Sequence, residues 1–226
     1  MKRVEIKGAI VLNDHKEIYD WYGVEATCPY DITSQLVGNE PIEIIINSGG
    51  GNVFAGSEIY TALREYQGEV TIKIYSFAGS SASIIAMARR SEISPTAQLM
   101  IHNVSLQSGG DCHDHEHVAE ILKNANETIA NAYVLKTGMT KEKILELMDK
   151  ETWLSPQKAK ELGFIDSIMF EDNTNSVDPV SLVANGGAIG MLPEQLINEF
   201  KETKFKANQT AQLNARLNLL KLKGIK

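Results

Sequence analysis

The sequence predicts an α/β fold, and two successive strand–turn–helix units carry that reading. Pro41-Ile42-Glu43-Ile44-Ile45-Ile46 is a β-branched run of the kind that fills a buried parallel strand. It breaks at Asn47-Ser48-Gly49-Gly50-Gly51-Asn52, and residues 53–66 follow as an amphipathic helix with Ile59, Leu63 and Tyr66 on one side. The layout then repeats. Val70-Thr71-Ile72-Lys73-Ile74-Tyr75 alternates as a strand. Ser76-Phe77-Ala78-Gly79-Ser80 turns tightly on small residues, and Ile84-Ile85-Ala86-Met87-Ala88 suits a buried helix. Strands alternating with helices are the pattern of a parallel sheet covered by helices.

Composition bounds the function classes. A chain of 226 residues is one large domain, or one domain with an appendage. Its hydrophobic fraction of 43% is that of an ordinary soluble globular protein. The formal charge of −7, without a long Lys/Arg cluster, argues against nucleic acid as a partner. Cys28 and Cys112 are too few for a disulfide framework, and their spacing with histidines fits no common zinc motif. No apolar run is long enough to cross a membrane. Met1-Lys2-Arg3-Val4-Glu5-Ile6 alternates as a strand and lacks the apolar core of a signal peptide, which points to the cytoplasm. No phosphate-binding Gly-Lys-Ser/Thr or G-x-G-x-x-G is present, so any ATP dependence must come from a partner.

The remaining elements follow in order. Residues 4–12 read as a strand, and 13–30, with Trp21, Tyr22 and Tyr30, as loops that pack on a neighbour. Asp31 caps a short helix over 31–37. Residues 93–95 turn the chain, and 97–102 form a short strand ending in His102. A polar loop over 103–110 leads into a long helix over 114–136. Thr140 caps a helix over 141–148. Ser155, Pro156 and Gly163 mark the cap, first position and end of another short helix. Residues 164–170 are the last strand, 171–190 a linker, and 192–223 a helix apolar near Leu213, Leu217 and Leu220.

Several residues stand out chemically. Ser80 sits where a strand becomes a helix, beside amides free to bind an anion. That suits a nucleophile whose substrate becomes an oxyanion, although helix capping is the commoner role of such a serine. The glycine turn is a tight connection or a backbone N–H aimed at an oxyanion, since the nucleotide motifs fail. His102 is a strand-end residue or the general base for Ser80. His113, His115 and His117 crowd one helix start, but His115 points away from the face the other two share. A solvated, acidic helix start is the better reading there, and no metal or cofactor is called.

Together the residues resemble a family. Ile46-Asn47-Ser48-Gly49-Gly50-Gly51, Ala55-Gly56, Ala78-Gly79-Ser80-Ser81-Ala82-Ser83, Met100-Ile101-His102, Trp153-Leu154-Ser155 and Gly163-Phe164-Ile165-Asp166 occur in the order of the Clp protease proteolytic subunit. Tyr19-Asp20-Trp21-Tyr22, Val53-Phe54-Ala55-Gly56, Ile85-Ala86-Met87-Ala88 and Glu151-Thr152-Trp153 look like its bacteriophage and prophage branch, where heads are matured by proteolysis. The resemblance covers residues 4–168. It implies a crotonase-like ββα superhelix with residues 114–136 as a protruding handle helix.

The implied activity is that of a serine endopeptidase with a Ser-His-acid triad. The family's Gly-x-Ala-Ala-Ser falls on Ser76 to Ser80, which makes Ser80 the nucleophile. His102 is the implied base, and the amides of Gly50 and Ser81 the implied oxyanion hole. The family's Asp falls at Glu151, with Asp149 as the alternative acid. Gly49 stands where the family usually has proline, Ser76 and Gly79 replace small residues of its motif, and Ser81 adds a hydroxyl. The resemblance implies a peptidase domain over 1–172, with a linker over 173–191 and a helical tail over 192–226 outside it. It also implies a homo-oligomer, a heptameric ring or two such rings stacked through the handle. An ATP-dependent unfoldase or phage head proteins are the implied partners, and peptides or proteins the substrates. An acyl-CoA enzyme of the crotonase fold and a non-catalytic assembly protein are the alternatives.

Overall fold

In the computed structural model, which describes residues 1–171 and Lys206, the frame is a largely parallel sheet. Its central path is β1 (Lys2–Ile10), β3 (Ile42–Gly51), β4 (Val70–Gly79) and β5 (Arg90–Ile93), with β2 (Ala26–Thr27) and β8 (Ser167–Ile168) at the ends. A further strand, β6 (Gln98–Ile101), pairs parallel with the end of β4, and β7 (Thr152–Leu154) runs antiparallel beside β6. The α/β reading holds. Ile42, Ile44, Ile45 and Ile46 are all buried, so both faces of β3 are covered, as a continuous β-branched run requires.

The helices cover that sheet. α3 (Val53–Glu65) buries Ala55, Ile59 and Leu63 on one stripe, and Asn52 caps it by accepting from the Ala55 amide. α4 (Ser81–Ala86) is buried along its whole length. α5 (Cys112–Thr137) has 26 residues, about 39 Å of helix. Ile129, Ala130, Ala132 and Tyr133 pack on the core, while the turns before Val118 are exposed. The helix therefore projects as a handle from a buried base. α6 (Lys141–Asp149) and α7 (Pro156–Glu161) are capped by the side chains of Thr140 and Ser155.

Several expectations are corrected. β3 does not break at Asn47. It continues to Gly51 through a register shift, with Gly50 and Gly51 paired to Ala9 and Ile10 of β1. The stretch 13–30 contains α1 (Lys16–Tyr22), β2 and the start of α2 (Pro29–Thr33) rather than loops alone. Asp31 does not begin α2. It is the third helical residue, and its carboxylate reaches back to the Cys28 amide at 2.9 Å. β5 was not foreseen, because Arg90 and Glu92 hide its two buried positions, Ser91 and Ile93. The last strand shrinks to two residues because the Phe164 amide bonds back to the Ala159 carbonyl at 2.8 Å. The linker and tail expected over 173–226 lie outside the described residues, Lys206 excepted.

One polar strut ties the helices behind the sheet. Arg89 donates to the carbonyls of Leu63 and Arg64 at 2.8 Å each, and to that of Tyr66, so it caps the end of α3. Lys136 of α5 donates to the Arg89 carbonyl at 3.0 Å and pairs with Asp166. Asp166 also accepts from the Ser91 amide of β5 at 2.7 Å. Partial burial pushes the Asp166 carboxyl up, but the Lys136 ammonium and the Ser91 amide outweigh it and hold the group below the ordinary aspartate range.

A depressed carboxyl stabilises the fold above its unfolded pKa, and that contribution is lost as pH falls through the folded value. Asp166→Asn should therefore cost about 1 kcal/mol at neutral pH, with solvent screening included. It should also flatten the decline of thermal midpoint below about pH 4. An acid limb identical to that of the wild type would refute this role.

Candidate active site

The candidate site lies where β4 and β6 end and β7 begins. β4 stops at Gly79, α4 begins at Ser81, and Ser80 alone makes the reversal with φ 52° and ψ −128°. A left-handed backbone at a non-glycine residue costs on the order of 1–3 kcal/mol and persists only where its surroundings impose it. Here the Ser80 amide donates to the Met100 carbonyl at 3.1 Å, which ties the reversal to β6. The Ser81 amide, at the first helical position, finds no acceptor among the described residues.

Parallel pairing brings in His102. Gly79 lies opposite Met100, so the residues after these strand ends meet. His102 Nε2 lies 2.8 Å from Ser80 Oγ. This is the expected pair, made by residues 22 positions apart in sequence. For Nε2 to accept from the serine, the ring proton must sit on Nδ1.

The two candidate acids, Asp149 and Glu151, lie just before the antiparallel strand β7. The ladder ends at the Ile101–Thr152 pair, so His102 is the residue after β6 and Glu151 the residue before β7. Glu151 has φ 47°, and its Oε1 accepts from Trp153 Nε1 at 3.2 Å. Asp149 Oδ1 accepts from Asn103 Nδ2 at 2.7 Å. Among the described residues no hydrogen bond joins either carboxylate to His102. Trp153 is half exposed, yet its ring stacks on Phe77 of β4, with centroids 5.3 Å apart and planes within 6°. This stack holds β7, the strand that directly follows Glu151.

The glycine turn faces the serine. Gly50 has φ 91°, and a Cβ there would sit 2.7 Å from Ser80 Cβ and 2.8 Å from the Ser81 nitrogen. Its own amide donates to Ser48 Oγ at 3.0 Å, and Ser48 in turn donates to the Gly8 carbonyl at 2.6 Å. Of the two expected oxyanion donors, Ser81 is thus unoccupied and Gly50 is held by a neutral hydroxyl. Beside them is a cavity of about 70 Å³ whose apolar walls include Val53, Ile84, Val104 and Ile129.

Some features were not foreseen from the residues. Ser83 Oγ donates to the Ser80 carbonyl at 2.6 Å and lies 2.8 Å from the Tyr133 hydroxyl. Asn126 of α5 accepts from the Val104 amide at 2.7 Å. A tyrosine within an apolar stripe was the available signal for the first, since a buried phenol needs a partner. His113, His115 and His117 lie on exposed first turns of α5, which Asp111 caps through the amides of His113 and Asp114. Among the described residues, no three metal-ligating side chains converge and no helix is long and apolar enough to cross a membrane.

Comparison with known proteins shows the family. The sequence model of one family, described as Clp protease, matches residues 30–172. The ATP-dependent Clp protease proteolytic subunit 1 of Chlamydia muridarum is 32% identical over 159 residues, which are 68% of this chain and 77% of that protein. The ATP-dependent Clp protease proteolytic subunit of Deinococcus radiodurans is 28% identical over 162 residues, 67% of this chain and 79% of that protein. A solved structure of a ClpP1 mutant from Listeria monocytogenes superposes with a TM-score of 0.62 at 26% identity, covering 74% of this chain and 91% of that one.

The packing at Gly50 generates a test of the turn. Gly50→Ala should push the turn away from Ser80 and lower the rate of serine-directed labelling by about 100-fold or more, with the fold retained. A variant that labels at the wild-type rate would show that the turn's approach to Ser80 is not needed.

Proposed function

The chain belongs to the Clp protease family, and from that premise we propose that it is a serine endopeptidase in which Ser80, His102 and Glu151 form the catalytic triad. The observation that carries the proposal is the 2.8 Å contact between Ser80 Oγ and His102 Nε2. In this reading Ser80 Oγ attacks a peptide carbonyl, and its proton passes to Nε2 and then to the leaving amine. The Ser81 amide binds the developing oxyanion, joined by the Gly50 amide when the charged oxygen replaces Ser48 Oγ as its acceptor. An ionised acceptor outcompetes a neutral hydroxyl.

Glu151 is the proposed acid; the reading is supported by the Ile101–Thr152 pair, since Glu151 directly precedes Thr152 and His102 directly follows Ile101. In the productive state its carboxylate leaves Trp153 Nε1 and accepts from His102 Nδ1. There it holds the tautomer and stabilises the imidazolium. Asp149, bonded to Asn103, is the alternative.

The finer assignment is to the bacteriophage branch, supported by Tyr19-Asp20-Trp21-Tyr22, Val53-Phe54-Ala55-Gly56 and Ile85-Ala86-Met87-Ala88. A phage head protein is then the substrate. The relatives' description as ATP-dependent supports an ATP-driven partner that feeds the chain. We further propose a ring of seven subunits in the cytoplasm, with two rings stacked through α5. Ile121 is exposed on the projecting half of that helix, whereas Ile129 packs into the chain's own core. Ile121 is therefore the position for a ring-to-ring contact, which is isologous, while contacts within a ring are heterologous.

Three experiments test these readings. Ser80→Ala should abolish fluorophosphonate labelling in an intact fold, and Glu151→Gln should slow it far more than Asp149→Asn. Labelling that moves to Ser83, or the reverse order for the acids, would displace the assignment. Turnover of a CoA thioester that fluorophosphonate leaves untouched would favour the acyl-CoA reading. Sedimentation should show a ring-sized assembly that Ile121→Asp splits. A wild-type monomer with full peptidase activity would defeat the ring.

A further inference from the structure

We propose that Tyr133 and Ser83 are positioning residues that orient the Ser81 amide, through a buried hydroxyl relay ending on the Ser80 carbonyl. The inference rests on the reading of Ser80 as nucleophile.

The direction of the relay follows from counting protons. Ser83 has one hydroxyl proton, and it is donated to the Ser80 carbonyl at 2.6 Å. The Tyr133 hydroxyl, 2.8 Å from Ser83 Oγ, must therefore be the donor of the second bond. Both residues are buried. Burial pushes the Tyr133 phenol far above its ordinary range. The phenol keeps its proton at any working pH, so the relay runs one way, from Tyr133 to Ser83 to the Ser80 carbonyl.

The anchored carbonyl sets the amide on the other side of the same peptide. Ser80 O accepts from Ser83 N at 2.9 Å, Ile84 N at 3.3 Å and Ser83 Oγ at 2.6 Å. A peptide unit is planar, and its C=O and N–H point in opposite directions. With the carbonyl held toward the body of α4, the Ser81 N–H is turned out of the helix. There it meets the Gly50 turn, where an added Cβ would lie 2.8 Å from the Ser81 nitrogen. The two amides alone belong to any first helical turn. The hydroxyl supplies a third donor where it is most needed, at a left-handed Ser80 entering a helix of six residues. Rotation of this peptide would relieve the strain and lose the oxyanion donor. The relay opposes that rotation.

The origin of the relay gives it a second consequence. Tyr133 is on α5, and its ring packs on Phe164 with centroids 5.9 Å apart. The base of the handle thereby reaches the nucleophile through two hydroxyls rather than through general packing.

The test uses the full chain and a fluorophosphonate probe. In that reaction Ser80 Oγ bonds to phosphorus, fluoride leaves, and the serine proton goes to His102. Tyr133→Phe keeps the ring against Phe164 and removes only the hydroxyl. Tyr133→Phe and Ser83→Ala should each lower the maximal inactivation rate by about tenfold, because the donor is misoriented rather than removed. The half-saturating probe concentration should stay within about twofold, and the double variant should be no slower than Ser83→Ala. If Ser83→Ala does not fold, Tyr133→Phe alone decides. An unchanged inactivation rate in Tyr133→Phe, or a loss confined to probe affinity, overturns the relay. If Ser80→Ala abolishes labelling in the same experiment, that failure leaves the nucleophile reading intact. Labelling that survives Ser80→Ala removes the nucleophile reading and the relay together.

Discussion

The left-handed backbone of Ser80 is the constraint on which the site depends. A strand that becomes a helix within one residue needs φ near 52°, and a serine there must be held against its own preference. It is held on three sides. The Met100 carbonyl takes its amide, Ser83 and Ile84 take its carbonyl, and Gly50 packs against its Cβ. The side chain is left pointing at His102 because every backbone direction is already assigned. Strain of this kind marks a position that the surroundings over-determine.

The sheet supplies the alignment. β4 pairs with β3 from Val70 to Ala78 on one side, and on the other with β5 along its first half and β6 at its end. The exchange of partners along one strand puts the serine on the end of β4 and the histidine on the end of β6, next to each other. β7 runs antiparallel to β6, and the candidate acids Asp149 and Glu151 lie just before it. Three separate chain segments converge, and the sheet's hydrogen bonds set their register. The stack of Trp153 on Phe77 does for β7 what the ladder of two or three pairs does weakly.

On the proposed reading, the site is assembled for attack but not fully committed. The Ser80–His102 contact is formed, whereas Glu151 is engaged by Trp153 Nε1 and the Gly50 amide by Ser48 Oγ. Both engagements are single hydrogen bonds to neutral groups, each worth about 1 kcal/mol net. A charged imidazolium and a charged oxyanion are stronger partners for those same groups. In the proposed peptidase, the substrate's own charge development completes the constellation.

Much was legible in the residues themselves. The α/β class, the strand over 41–46, the helix over 53–66 and the long helix near 114–136 follow from periodicity and caps, which are local properties of the chain. Ser80 at a strand–helix junction and His102 at a strand end were legible for the same reason, as was the family through the order of its motifs. The continuation of β3 through Gly51 was not, because glycines read as a turn until β1 supplies partners for them. β5 was hidden since its buried residues alternate with charged ones. The 2.8 Å approach of Ser80 to His102, the engagement of the carboxylates away from the imidazole and the path from Tyr133 through Ser83 depend on which strands pair and which helix lies behind them. Sequence alone determined which groups were present and on what local elements. Only the tertiary structure decided which of them touch, because a hydrogen bond requires atoms within about 3 Å and contacts between distant segments leave no local trace in the chain.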